Sequence, residues 1–248
     1  MIRFLQSWGV PVMMTGVYGV LMWSSETDNT GKAWMAIGLA MVLVVWWLFR
    51  ALTAVAALSR SVSVGDSRRT LELVDEQLPR KKSPAARAPL LVARAQALEL
   101  RGDWAGVLAA LDEVDLSGIP DRLRSSWTIV AATVRIGALV ETDRIADAKR
   151  VLETTVAPAA TALDPRVDRS SQLLRSLAAG RIAATEGDSA GAQPLLQATL
   201  DDIHAGGASR ALAHFYLARV TNETAAAAHR AEIAKLIADE SLWIRTAR

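Results

Sequence analysis

Apolar residues open the chain in two long runs, and past residue 60 they recur at helical spacing instead. The first run, residues 4–23, carries no charge; its polar side chains are Gln6, Ser7, Thr15 and the Tyr18 hydroxyl. The second, 33–49, is uncharged up to Arg50 and then apolar again from Ala51 to Leu58. A helix crosses the ~30 Å hydrocarbon layer of a bilayer with about 20 residues at 1.5 Å each. The first run has that length, and the second reaches it by including Arg50, which would snorkel towards the head groups. The polar stretch 24–32 between them is long enough to turn a hairpin. The pattern therefore predicts a transmembrane helical hairpin over 1–58, with spans of about 4–23 and 33–58 and a loop at 24–32.

Past residue 60 there is no period-two alternation and no strand-like cluster of β-branched and aromatic residues. Ala, Leu, Arg and Glu dominate, all good helix formers. Leu71, Val74 and Leu78 share one helical face, as do Val107, Leu111 and Val114, and Ile145, Ala148 and Leu152. An all-α protein is expected, with helices throughout 59–248.

Short polar turns recur between these helices. They are Val64-Gly65-Asp66-Ser67, Arg101-Gly102-Asp103-Trp104, Thr142-Asp143-Arg144-Ile145 and Glu186-Gly187-Asp188-Ser189. Glycine after a helix takes the left-handed conformation that satisfies the last carbonyls, and Asp or Ser then caps the next helix. A turn that short sends the second helix back along the first. The anchors Gly65, Gly102, Asp143 and Gly187 are 37, 41 and 44 residues apart. Seven before and five after three of them stand Ala95 and Val107, Ile136 and Ala148, and Gly180 and Ala192, mostly small residues that let helix backbones approach. The stretch 211–237 begins like another first helix, Ala211-Leu212-Ala213-His214-Phe215-Tyr216, but lacks the Gly-Asp turn.

This pattern resembles the tetratricopeptide repeat family, whose unit is a helix-turn-helix of about 34 residues. The likeness is carried by Ala95-x2-Leu98-x3-Gly102-Asp103-Trp104-x2-Val107-x3-Leu111 and by Gly180-x2-Ala183-x3-Gly187-Asp188-x3-Ala192-x3-Leu196. Leu139-x3-Asp143-x-Ile145-x2-Ala148-x3-Leu152 is a third, looser match, and the whole covers roughly 60–240. A two-span anchor before such repeats is also similar in layout to the HemY N-terminal family of bacterial inner-membrane proteins. The resemblance implies an α-solenoid over 59–248 with a concave face lined by the first helix of each pair. On the family's register that face would include Gln96, Glu99, Arg181, Tyr216 and Arg219. They are the expected partner-binding residues, and their mixed character suits a mixed or moderately apolar peptide.

Tryptophan and charge refine the membrane reading. Five of the eight Trp residues lie in the first fifty: Trp8 and Trp23 flank the first run, Trp34 opens the second, and Trp46 and Trp47 stand near its end. Indole favours the membrane–water interface, so these five with Arg50 are the expected interfacial residues. The loop holds Glu26, Asp28 and one Lys, whereas Arg50, Arg60, Arg68 and Arg69 follow the second span. Lys and Arg stay on the cytoplasmic side, which puts both termini in the cytoplasm. The exit Met22-Trp23-Ser24-Ser25 lacks a small-x-small cleavage site, so the first run is expected to be retained. The Arg-rich, Ala-rich composition suggests a GC-rich bacterial genome, and the likeness in layout to the HemY N-terminal family implies a bacterial inner membrane.

Catalytic signals are lacking. Without cysteine there is no disulfide, thiolate zinc site or cysteine nucleophile. His204, His214 and His229 share no helical face at i and i+4, and no metal ligand set is expected. Neither a phosphate-binding glycine loop nor a Gly-x-Ser-x-Gly elbow occurs, so no catalytic residue and no cofactor is expected. A net charge of +2 without a dominant basic face argues against nucleic acid. The loop Pro79-Arg80-Lys81-Lys82-Ser83-Pro84 reads as solvated, and Leu242-Trp243-Ile244 as an apolar cap packed on the solenoid. The expected function is a membrane-anchored adaptor or scaffold for a protein or peptide. The alternative is a small structural or assembly subunit of a larger membrane complex; less favoured is an enzyme subunit whose chemistry a partner supplies.

Overall fold

The computed structural model describes residues 29–161, 168–203, 205–237 and 243–246. The first expected span, the loop residues 24–28, Trp8, Trp23 and His204 lie outside the described residues, as do the side chains of Trp34 and Arg50. Among the described residues all regular structure is helical. The chain divides into two compact units, 1–57 and 58–248.

Helix α1 spans Asn29–Ser63, so the last four residues expected in the loop are already helical. Nothing breaks it between Arg60 and Ser63, where the second apolar run passes into the repeats. Among the described residues no helix is long and apolar enough to cross a membrane. The large apolar side chains of α1 are nonetheless exposed: Ile37, Met41, Val44, Val45, Trp47, Leu48 and Phe49, followed by Leu52 and Val55.

The unit 58–248 is built from helix pairs. After the end of α1 come α2 (Ser67–Gln77), α3 (Pro84–Arg101), α4 (Trp104–Asp112), α5 (Asp121–Glu141) and α6 (Ile145–Val151). A π-turn at Leu152–Val156 leads into α7 (Ala157–Thr161). Then follow α8 (Asp168–Thr185), α9 (Ser189–Asp201), α10 (Gly207–Val220), α11 (Glu223–Leu236) and the short α12 (Trp243–Thr246).

The turn chemistry explains the pairing. Gly65, Gly102, Asp143 and Gly187 are the described residues with positive φ, at 74°, 74°, 59° and 79°. At each, two crossed bonds close the helix: Asp103 N–H reaches the Leu98 carbonyl at 3.1 Å and Gly102 N–H that of Glu99 at 3.0 Å. The same pattern recurs at Asp66 onto Ser61, Arg144 onto Leu139, and Asp188 onto Ala183. This is the Schellman closure. Asp66, Asp103 and Asp188 then accept from the backbone N–H of Arg69, Gly106 and Gly191, capping the second helix. The last pair, α10 and α11, uses another device: Asn222 caps α11 through Ala225 N–H, with no left-handed residue before it.

Small residues set the spacing within each pair. Ala95 and Val107, and Ile136 and Ala148, are all fully buried. At Gly180 a Cβ would lie 2.8 Å from Leu196 Cγ, so α8 and α9 approach too closely for a side chain there. One core joins Val92, Ala95, Val107 and Leu111 to Val134 and Ala138; a larger one runs from α5 through α8 and α9 to α10 and α11. The unit also closes on itself. Cβ atoms built at Gly206 and Gly207 would meet the Ser63 carbonyl at 3.1 and 3.3 Å, and one at Gly65 would meet Ile237 at 3.5 Å. The first turn and the last pair are therefore in contact, and the first helices face an interior filled with side chains.

Candidate functional site

Four of the five expected partner-binding residues meet in that interior. Glu99 stands in the last turn of α3, three residues before Gly102; Arg181 follows Gly180 in α8; Tyr216 and Arg219 lie one turn apart on α10. The Arg181 guanidinium (Nη2) donates to Glu99 Oε1 at 2.7 Å, and its Cζ lies 5.1 Å from the Tyr216 ring centroid. Tyr216 donates its hydroxyl proton to Glu141 Oε1 at 2.6 Å, and Arg219 Nη1 donates to the same oxygen at 2.8 Å. Glu141, the final residue of α5, is the member that the register did not single out. Gln96 is half-buried on α3 and takes no part in these bonds.

The network runs from a dry end to a wet one. Arg181 is 1% exposed, Glu99 4% and Tyr216 fully buried, while the Arg219 side chain is 38% exposed. Burial pushes the Glu99 carboxyl above the usual carboxylate range, while the Arg181 guanidinium pulls it back. Burial also raises the Tyr216 hydroxyl, which stays protonated and serves as a donor. For Arg181 burial acts to lower the pKa, but Tyr216 and Glu99 outweigh it and the guanidinium stays charged. Its Nε is buried without a hydrogen-bond partner among the described residues. Gly137 on α5 provides the room, because a Cβ there would run into Arg181 Nη2 and Glu99 Oε1.

Chemically this arrangement holds helices together. Its donors and acceptors are directed at one another, from α3, α5, α8 and α10, with Arg219 stacked over Phe215 at 4.9 Å at the outlet. Among the described residues no group of three or more His, Asp or Glu is placed to hold a metal.

Two further clusters escaped the sequence. His214 of α10 and His229 of α11 bring their Nδ1 atoms to 2.9 Å, one donating and the other accepting. Both stand equally far from the 221–222 turn, so a hairpin folded there makes them opposite, a pairing that no i, i+4 spacing within one helix contains. Burial lowers the pKa of both, and for His214 the charge of His229 adds to it. The second cluster is aromatic. Trp243 packs edge-on against Trp104 with centroids 4.8 Å apart, and against Phe215 at 4.4 Å, while Ile244 is 2% exposed. Of the expected interfacial residues, Trp47 is exposed on α1 and Trp46 half-buried; Trp34 and Arg50 belong to the same helix.

Compared with known protein families, curated proteins and solved structures, the chain matches none.

Proposed function

We propose that this chain is a membrane-anchored adaptor of the tetratricopeptide type, whose repeat unit binds a protein or peptide segment on the cytoplasmic side of a bacterial inner membrane. The observation that carries the anchor is α1, in which exposed apolar side chains from Ile37 to Val55 run along a helix ending directly in the first repeat turn. An apolar surface of that extent suits lipid or another protein. The four left-handed turns, with their 37- to 44-residue spacing, support the repeat reading. Because Glu99, Arg181 and Tyr216 are buried and bonded within the unit, a partner would meet the less buried side chains around them, Gln96 and Arg219 among these.

A second reading, a structural or assembly subunit of a larger membrane complex, is favoured by that same filled interior. A subunit of that kind would use α1 and the outer helix faces for fixed contacts. Purification from native membranes in mild detergent, after protease treatment of vesicles of both orientations, tests the proposal. The adaptor predicts cleavage of 58–248 in inside-out vesicles alone, and partners that exchange. A protein retained in fixed stoichiometry supports the subunit reading; cleavage from the outer side would overturn both topologies.

A further inference from the structure

The slot between the Gly102 turn and α10 has the features of a recognition pocket already occupied by the chain itself. Its walls are Trp104, the first residue of α4, and Phe215 of α10; its floor is Gly102. A Cβ at Gly102 would lie 3.0 Å from Trp243 Cβ, so the glycine that turns α3 into α4 also makes room for the indole. The occupant is α12, only four residues long. A helix that short has no stability of its own, so its position rests on side-chain contacts. Those contacts are a Trp in edge-on packing with two aromatic rings, followed by a fully enclosed Ile. Aromatic anchors of this kind dominate peptide recognition. Trp243 itself is half-buried.

We infer that this slot is a docking site for a short segment carrying a tryptophan followed by an aliphatic residue, and that Trp243 and Ile244 hold it in the resting chain. The inference rests on the adaptor reading for its biological sense, but its geometry is independent of the membrane. A segment belonging to the same chain competes intramolecularly with any segment supplied from outside. It therefore lowers the apparent affinity for any competitor supplied in trans, and removing it should restore that affinity. Partner binding and release of Trp243 would then be one exchange of like for like.

The test uses the full chain in mild detergent and a fluorescein-labelled peptide of residues 238–248. Trp243→Ala, and separately deletion of everything after Ile237, should give saturable micromolar binding of this peptide. The unaltered chain should bind it at least tenfold more weakly, and adding Phe215→Ala to Trp243→Ala should abolish binding while far-UV circular dichroism is unchanged. No binding to folded Trp243→Ala, or equal binding to altered and unaltered chains, would overturn the inference. If the altered chains lose helicity, hydrogen exchange on the unaltered chain decides. Amides of 243–246 exchanging at least tenfold faster than those of α10 support a displaceable occupant; equal protection makes it a fixed cap. None of these outcomes depends on the vesicle topology, so failure here and failure of the anchor are separable.

Discussion

In α1, Met41, Trp47, Phe49, Leu52 and Val55 each leave more than three-fifths of their surface exposed, whereas inside 58–248 the charged pair Glu99 and Arg181 leaves almost none. Each region reverses the ordinary rule, and each reversal needs a different remedy. A buried ion pair is tolerated when its charges face one another in polar surroundings, as Arg181 and Glu99 do with the Tyr216 ring 5.1 Å from the guanidinium. Exposed apolar side chains have no remedy within the helix that bears them; their cover comes from elsewhere, and we propose that it is lipid. The repeat unit thus buries its charged pair with its own residues, whereas α1 leaves its apolar side chains exposed.

The sharpest way to break the first half of this contrast is to remove one charge. Arg181→Ala leaves the Glu99 carboxylate buried without its counter-ion and should destabilise the unit by about 3–5 kcal/mol in denaturant unfolding. Gly137→Ala should approach that loss, since its methyl would enter the space of the ion pair. Replacing both partners together, Glu99→Leu with Arg181→Met, should recover most of the stability. A double variant as unstable as Arg181→Ala would show that the loss comes from the site's shape and not from its charge.

The turns give a smaller, cleaner effect. Gly187→Ala forces an alanine into φ 79° with nothing within 4 Å of its Cβ, so strain alone is at issue, about 1–2 kcal/mol. Asp143→Gly should do the reverse and stabilise by about 0.5–1 kcal/mol, because it relieves a non-glycine residue at φ 59°. Thermal melts of the two variants should move in opposite directions. Movement in the same direction would contradict the assignment of Asp143 as a strained equivalent of the three glycines.

The histidine pair predicts the mildest change. Burial holds His214 and His229 below their ordinary pKa, with Glu232 opposing and Arg210 reinforcing the shift at His214. The unfolded chain therefore binds protons more readily. The pair's stability is present above pH ~6.5 and is lost as pH falls through the lowered native pKa values. Melting temperatures measured between pH 7.5 and 5 should fall, and His229→Gln should flatten that slope. An unchanged slope would mean that the two rings titrate freely.

The sequence made the turns legible because their chemistry is local: Gly65, Gly102, Asp143 and Gly187 each fix a backbone conformation that no distant contact has to supply. Helix starts were less legible. Helix α3 begins at Pro84, six residues before Leu90, where its run of apolar residues opens, since proline suits a first helical turn. The network was half legible. A repeat register brought Glu99, Arg181, Tyr216 and Arg219 onto one face, but the burial of the first three depends on packing among α3, α5, α8 and α10, which no local motif encodes. Glu141 reaches Tyr216 from a different hairpin, and the His214–His229 contact depends on the register of the last pair, for which the Asn222 turn carries too weak a signal. Trp243 read correctly as a packed residue, while its neighbours Trp104 and Phe215 lie 139 and 28 positions away.

The chain lacks cysteine, which makes the contrast between its two regions directly measurable. Single cysteines at Val45, exposed on α1, and at Ala190, exposed on α9, would be challenged with a membrane-impermeant maleimide in sealed vesicles of both orientations. A membrane-embedded α1 with a cytoplasmic repeat unit predicts labelling of Ala190→Cys in inside-out vesicles alone, and of Val45→Cys only once detergent is added. Rapid labelling of Val45→Cys in intact vesicles would place that face in water or a loose protein contact, and would contradict the anchor.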